Sequence, residues 1–137
     1  MPVRGVRGAN SVGEDSSQAV RVATQELLKA LLAANPSLQT EDLVSAFFTV
    51  TSDLRSTYPA LAAREIGWEQ VPLMCAQEIP VPGGLPRCIR VLLHWNTDLP
   101  QRAIQHVYLG AAASLRPDLC IPEEDVNSIV LTRRKQP

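Results

Sequence analysis

The sequence of 137 residues is poor in several residue types, and each shortage excludes a class of protein. Its three cysteines, Cys75, Cys88 and Cys120, form no C-x-x-C pair, which argues against a disulfide framework or a zinc ribbon. Aromatic residues make up 4% and the net charge is −1, unlike a nucleic-acid-binding protein. No apolar run approaches the roughly 20 residues that cross a bilayer, and the first ten residues lack a secretory signal's apolar segment. We therefore expect a cytoplasmic protein that binds neither nucleic acid nor membrane.

The familiar catalytic motifs are also missing. The sequence has no G-x-S-x-G, no H-E-x-x-H, no Walker loop and no G-x-G-x-x-G. His94 and His106 lie on different predicted elements, and neither has a cysteine or acidic residue nearby that could complete a metal site. We expect no metal and no cofactor.

Lysine is scarce, whereas arginine is abundant. Of the 13 basic residues, 11 are arginine and 2 are lysine. Arginine is favoured where a planar fork must bind a carboxylate or phosphate. A high genomic GC content would give the same bias, so composition alone leaves both explanations open.

The hydrophobic pattern predicts one α+β domain at residues 1–118 and a flexible tail at 119–137. Its elements are a strand at 2–12, a helix from the Asp15–Gln18 capping pair to Ala34, a strand at 43–51, a helix at 58–66, strands at 71–78 and 87–95, and a helix from about Pro100 to Ser114. We expect a mixed β-sheet with the helices packed on one face. The Gly-rich loop at 80–86 favours a hairpin between the last two long strands. The other face of the sheet must also be buried, and the chain has little left to bury it, which predicts a homo-oligomer.

The strand at 87–95 contains the most informative residue. Alternation places Ile89, Val91 and their successors on one face, and Arg90 in the middle of the other. A half-buried arginine needs a partner, because an unpaired buried charge is costly. Arg90 therefore either forms an internal salt bridge with Glu78 or lines a cleft with it and binds a charged ligand.

Two further features of the strands leave alternatives open. Gly5 and Gly8, inside the first strand, mark a close approach of ligand or backbone, or simply a surface strand. Cys75 on a strand is usually a small core residue, and no base lies beside it. Alternation places Cys75 and Glu78 on opposite faces, so the strand must bulge or end between them if both touch one ligand.

Seven segments together carry a resemblance to a known family. They are V-R-G-V-R-G-A, Tyr58-Pro59-Ala60 followed by Ala62 and Arg64, V-P-L-M-C-A-Q-E, V-P-G-G-L-P-R-C-I-R-V-L-L, W-N-T-D-L-P-Q, H-V-Y-L and L-R-P-D-L. In this order they resemble the monofunctional chorismate mutases of the AroH class, over about residues 2–119.

The resemblance implies a fold, an assembly and a reaction. It implies a homotrimer shaped as a pseudo-barrel, with active sites in clefts between neighbouring subunits. The reaction would be the rearrangement of chorismate to prephenate in aromatic amino acid biosynthesis. It would use no cofactor, metal or covalent intermediate.

The resemblance also assigns roles to candidate residues. Arg90 would stabilise charge on the ether oxygen in the transition state, while Arg7 and Tyr108 would bind the side-chain carboxylate. Glu78 and Cys75 would contact the ring hydroxyl. The other substrate-binding positions would be Leu73, Met74, Tyr58, Ala60, Arg64, Leu115 and Arg116.

Some of these roles concern the entrance of the site. Tyr58, Ala60 and Arg64 would come from the neighbouring subunit, and Arg64 and Arg116 would draw in the dianion. The family often has Phe at position 58 and Lys at position 61, where this chain has Tyr58 and Leu61. The loss of that lysine predicts weaker substrate capture.

A second class of function shares the expected architecture. A trimeric binding or regulatory protein could use the same scaffold without turnover, because a fold does not define a function. The joint presence of Arg7, Glu78, Arg90 and Tyr108 favours the isomerase.

Overall fold

The computed structural model describes residues 1–115 and arranges them around one five-stranded sheet. The elements are β1 (Val3–Ser11), α1 (Ser17–Ala34), β2 (Leu43–Val50), α2 (Pro59–Glu65), β3 (Leu73–Gln77), β4 (Cys88–Asn96) and β5 (Val107–Tyr108). Short 3₁₀ turns lie at Thr40–Asp42, Gln101–Ala103 and Gly110–Ser114. Arg116 and the predicted tail lie outside the described residues.

The sheet is mixed, as predicted, with strand order β3-β2-β4-β1-β5. Strand β4 is antiparallel to both of its neighbours, while the β2–β3 and β1–β5 pairs are parallel. The predicted hairpin between β3 and β4 is wrong, because β2 lies between them. Glycine and proline in the connecting loop favour a change of direction, but they do not determine which strands pair. The longer strand β2 pairs with β4 over its whole length.

Helix α1 follows its predicted hydrophobic stripe, although its cap differs from the prediction. Ser16, rather than Asp15, caps the helix by accepting a hydrogen bond from the Ala19 amide at 3.1 Å. The Asp15 carboxylate instead accepts bonds from the amides of Arg55 and Ser56 and from the Ser56 hydroxyl. Sequence spacing could not reveal these partners, which lie about 40 residues away.

The predicted third helix is wrong. Residues 107–108 instead form β5, which extends the sheet by pairing with Gly8 and Ala9 of β1. The free edge of β1 offers hydrogen bonds that override the helical propensity of this segment. Gly110, with φ of 55°, then turns the chain into the last 3₁₀ turn.

The core lies between the sheet and the two helices, which pack on one face as predicted. Alternate residues of β4, from Ile89 to Trp95, point into this core and are buried. The other side of the sheet, here termed the open face, carries Arg7, Phe47, Met74, Arg90 and Leu92. Among residues 1–115, no helix is long and apolar enough to cross a membrane.

Gly8 is required by a close approach of α1 rather than by a ligand. A Cβ at Gly8 would lie 2.9 Å from a Leu31 methyl, 3.1 Å from a Leu27 methyl and 3.3 Å from the Val107 carbonyl oxygen. At Gly5, a Cβ would meet only a Leu92 methyl, at 3.6 Å. Close packing therefore explains the glycine at position 8 but not the glycine at position 5.

This difference predicts different effects of two matched substitutions on stability. Gly8→Ala should lower the free energy of unfolding by about 1–3 kcal/mol, because the added methyl overpacks the helix–sheet contact. Gly5→Ala should cause no loss. Urea denaturation of both variants tests this, and equal stabilities would contradict the packing explanation.

Candidate active site

Arg90 lies on the central strand of the sheet and points to the open face. Its backbone is fixed on both sides by ladder pairs, to Ala9 on β1 and to Thr49 on β2. Its side chain is 33% exposed, so the guanidinium is only partly desolvated. The rigid backbone limits where this charge can move.

Glu78 supplies the charge opposite Arg90. It follows the last residue of β3, and its amide donates to the Val50 carbonyl at 2.8 Å. Its Oε1 lies 3.3 Å from the Arg90 Nε and accepts a hydrogen bond from the Thr49 hydroxyl at 2.5 Å. The ion pair with Glu78, one of the two alternatives for Arg90, is therefore present.

The ion pair also borders a cleft, which is the space that the second alternative for Arg90 requires. The Arg90 cleft has a volume of about 460 Å³. It is lined by Thr51, Ser52, Asp53, Glu78, Ile79, Pro80, Val81, Gly84, Leu85, Pro86 and Arg90. The guanidinium is thus balanced by a carboxylate while it remains at the wall of a space that a small molecule could enter.

Tyr108 completes a row of side chains across the sheet. It pairs with Ala9 on β1, which also pairs with Arg90, so all three residues lie side by side on the open face. The Tyr108 hydroxyl and the Arg90 Nε are buried, and neither makes a hydrogen bond. Unsatisfied buried polar atoms are rare, and a bound ligand is one explanation for them.

Two other predicted residues lie close to this row. Arg7 is two residues before Ala9 on β1 and points to the same open face. Its backbone amide donates to the His106 Nδ1 at 2.9 Å, which fixes the strand beside β5. Leu115 packs against the small buried cluster that contains Tyr108. The structure therefore groups Arg7, Arg90 and Tyr108 on one surface.

The remaining predicted residues form a separate group at the β3 edge of the sheet. The edge cleft has a volume of about 320 Å³ and is lined by Tyr58, Ala60, Leu61, Arg64, Leu73, Met74 and Cys75. Its lining shares no residue with that of the Arg90 cleft. The strand ends between Cys75 and Glu78, yet within one chain the two side chains line different clefts.

The rim of the edge cleft is unusually apolar for an exposed surface. Tyr58 is 74% exposed, Met74 is 62% exposed and Leu61 is 39% exposed. Arg64, at the last turn of α2, is the basic residue in this lining. An apolar surface around one cation suits contact with another surface or with a partly apolar anion.

The Cys88 thiol is buried and the Cys75 thiol is half-buried. Burial raises the pKa of the Cys75 thiol, although an Ala60 backbone hydrogen bond and the Arg64 charge partly offset this. Burial likewise raises the pKa of the Cys88 thiol, against the opposing effect of Arg90. Both groups stay protonated at neutral pH, so Cys75 suits hydrogen bonding and not nucleophilic attack.

Sequence reasoning missed the residues that hold the charged pair in place. Thr49 is a polar residue in an apolar strand, and its place in the alternation could have marked it as facing Arg90. Thr51 and Asp53, which line the Arg90 cleft, gave no comparable signal. Within residues 1–115, no group of three His, Cys, Asp or Glu side chains could hold a metal ion.

Comparison with known proteins identifies the family. Residues 3–119 match the family described as chorismate mutase type I. Chorismate mutase AroH from Thermus thermophilus is 56% identical over 117 residues, covering 85% of this chain and 96% of that protein. Chorismate mutase AroH from Bacillus subtilis (strain 168) is 43% identical over 122 residues, covering 88% and 95%. A solved chorismate mutase from Clostridium thermocellum superposes with a TM-score of 0.78 at 44% identity, covering 80% of this chain and 97% of that one.

The chain therefore belongs to the type I chorismate mutases. Enzymes of this family are isomerases, which rearrange chorismate to prephenate. The resemblance and the enzyme class predicted from the sequence are confirmed.

Proposed function

We propose that this chain converts chorismate to prephenate in a site centred on Arg90. The observation that carries the proposal is the row on the open face, where the buried Arg90 Nε and Tyr108 hydroxyl both lack a hydrogen bond. A small anion in this row would accept hydrogen bonds from donors that make none within the chain.

Arg90 suits the electronic demand of this rearrangement. As the ether C–O bond of chorismate breaks and a C–C bond forms, negative charge builds on the ether oxygen and the ring becomes electron-poor. A fixed guanidinium near that oxygen stabilises the transition state more than the ground state. No proton transfer is required, which agrees with thiols that stay protonated.

The other residues of the row bind and orient the substrate. Arg7 and Tyr108 bind the side-chain carboxylate, and Glu78 accepts the ring hydroxyl next to the electron-poor ring. Held at these points, the flexible substrate keeps a compact, reactive shape, which lowers the barrier further. Leu115 closes this side of the site, together with Arg116, which lies outside the described residues.

The complete site forms between two copies of the chain in a homotrimer. Support comes from the separation of the Arg90 cleft and the edge cleft within one chain. It also comes from apolar residues of the open face, such as Met74, that the described part of the chain leaves uncovered. Joining the edge cleft of one copy to the Arg90 cleft of the next brings Cys75 to the ring hydroxyl and Leu73 and Met74 to the pocket wall.

The edge cleft then forms the entrance. Tyr58 and Ala60 line it, and Arg64 attracts the dianion. Leu61 stands where the family often has lysine, so this entrance has one cation fewer. We infer weaker substrate capture with unchanged chemistry, and hence a raised KM.

The proposed mechanism also bears on cofactor use and on the cellular compartment. The reaction proceeds without metal or cofactor, because the charge is stabilised by side chains. Free thiols at Cys75 and Cys88 fit a reducing compartment, which favours the cytoplasm.

Removal of the guanidinium tests the catalytic role. Arg90→Ala should reduce kcat by at least about 10²–10³-fold, the scale for loss of one preorganised donor. The fall of chorismate absorbance in the ultraviolet measures turnover, and thermal unfolding checks the fold. Arg90→Lys keeps a cation but loses the planar fork, so it should recover part of the activity. A fully active Arg90→Ala enzyme would contradict this role.

The shared site predicts complementation between two defective chains. Arg90→Ala damages one half of the site and Arg64→Glu damages the other, so each homotrimer should be slow at low substrate concentration. In a cyclic trimer that contains both variants, one of the three sites combines an intact Arg90 cleft from one chain with an intact edge cleft from the next. Co-expressed, doubly tagged trimers should therefore show about one third of the wild-type kcat/KM. Activity equal to the average of the two parents would show that each chain builds its own site.

A further inference from the structure

The loop between β3 and β4 forms one wall of the Arg90 cleft, and both of its ends are anchored. At its start stands Glu78, which pairs with Arg90. At its end stands Arg87, whose φ of 46° is left-handed. A bulky residue in this conformation is strained and persists only where its surroundings hold it.

Asp53 restrains this strained residue on one side. The Arg87 amide donates to both carboxylate oxygens of Asp53, at 3.1 Å and 3.0 Å. On the other side, the Arg87 Nε donates to the Val12 carbonyl at 3.0 Å, and the Val12 amide donates to the Arg87 carbonyl at 2.8 Å. The end of the loop is thus fixed between Asp53 and β1.

Thr51 extends this restraint to the start of β4. Its hydroxyl donates to Asp53 and accepts a hydrogen bond from the Cys88 amide at 3.0 Å. Cys88 is two residues before Arg90 on the same side of β4, and its carbonyl accepts a hydrogen bond from the Thr51 amide at 3.1 Å. The contacts therefore run from Asp53 through Thr51 to Cys88, the first residue of the strand that carries Arg90.

The carboxylate of Asp53 remains charged over a wide pH range. The Thr51 hydroxyl first, and the Arg87 amide in addition, hold the pKa of Asp53 below its usual value of 3.8. An acceptor that stays ionised keeps all of these bonds at neutral pH.

We propose that Asp53 is a positioning residue for the reaction, which acts through its hydrogen bonds to Arg87 and Thr51 to fix the loop wall and the strand that carries Arg90. The inference rests on the role of Arg90 proposed above. Without Asp53, the strained Arg87 relaxes, the wall moves and the guanidinium loses its fixed distance to the ether oxygen. Small displacements of this kind reduce the catalytic step strongly.

The chain offers a matched control in Asp15. This carboxylate also accepts hydrogen bonds from two backbone amides and one hydroxyl. Its partners Arg55 and Ser56 lie in the same connection as Asp53, but Asp15 ties them to the segment before α1, makes no bond to Arg87 and does not line the Arg90 cleft. Asp15→Ala should lower the melting temperature while kcat stays within about twofold of wild type, because the contacts of Arg87 and Thr51 with Asp53 are unchanged.

Asp53→Ala should lower kcat at least about tenfold at a temperature where the variant is folded, with a smaller change in KM. Asp53→Asn keeps one acceptor oxygen, so its kcat should lie between those of Asp53→Ala and the wild type. A purely structural role would change the melting temperature and leave kcat intact, so that result would overturn the proposal. An equal loss of kcat in Asp15→Ala would also overturn it.

Thr51 gives an independent test if Asp53→Ala does not fold. Thr51→Val should lower kcat, whereas Thr51→Ser keeps the hydroxyl and should restore it; equal kcat in the two variants would overturn the proposal.

Arg90→Ala in the same assay separates the Asp53 inference from the proposed role of Arg90. If Arg90→Ala is inactive and Asp53→Ala is fully active, only the Asp53 inference fails. If Arg90→Ala is active, the role of Arg90 itself fails.

Discussion

A partly buried guanidinium on the central strand is the constraint around which the site is built. Such a charge must be balanced, yet full pairing inside the protein would leave nothing for a substrate. Glu78 resolves this by lying within ion-pair distance of Arg90 while the Nε makes no hydrogen bond. Thr49 holds Glu78 in that position. The charge of Arg90 is therefore balanced while its Nε still makes no hydrogen bond, as electrostatic preorganisation requires.

The asymmetry of the sheet links the fold to the function. Both helices bury one face, and the close contact of α1 at Gly8 shows how tightly that face is packed. The open face is left with polar groups from Arg7, Arg90 and Tyr108 beside apolar groups such as Met74. The same surface can then form both the subunit interface and the active site, as expected for sites between identical subunits.

The sequence correctly predicted the helices and strands with a regular hydrophobic period. It was wrong where pairing with a distant strand determines the secondary structure. The leucine stripe of α1 and the alternation of β4 were read correctly, because burial imposes both periods. The segment around Tyr108 was predicted as helix, since its pairing with β1 has no local signal. The same limit applies to the site. Arg90 and Glu78 were found, whereas the Thr49 contact depends on β2 lying beside β4.

The central claim is that Arg90 faces the oxygen that becomes anionic, and one structure can test it directly. The protein should be crystallised with an inert dicarboxylate ether shaped like the transition state. The account predicts a guanidinium nitrogen of Arg90 at about 2.7–3.1 Å from the ether oxygen, with the ligand lying between two copies of the chain. A ligand bound elsewhere, with Arg90 still paired only to Glu78, would contradict the account.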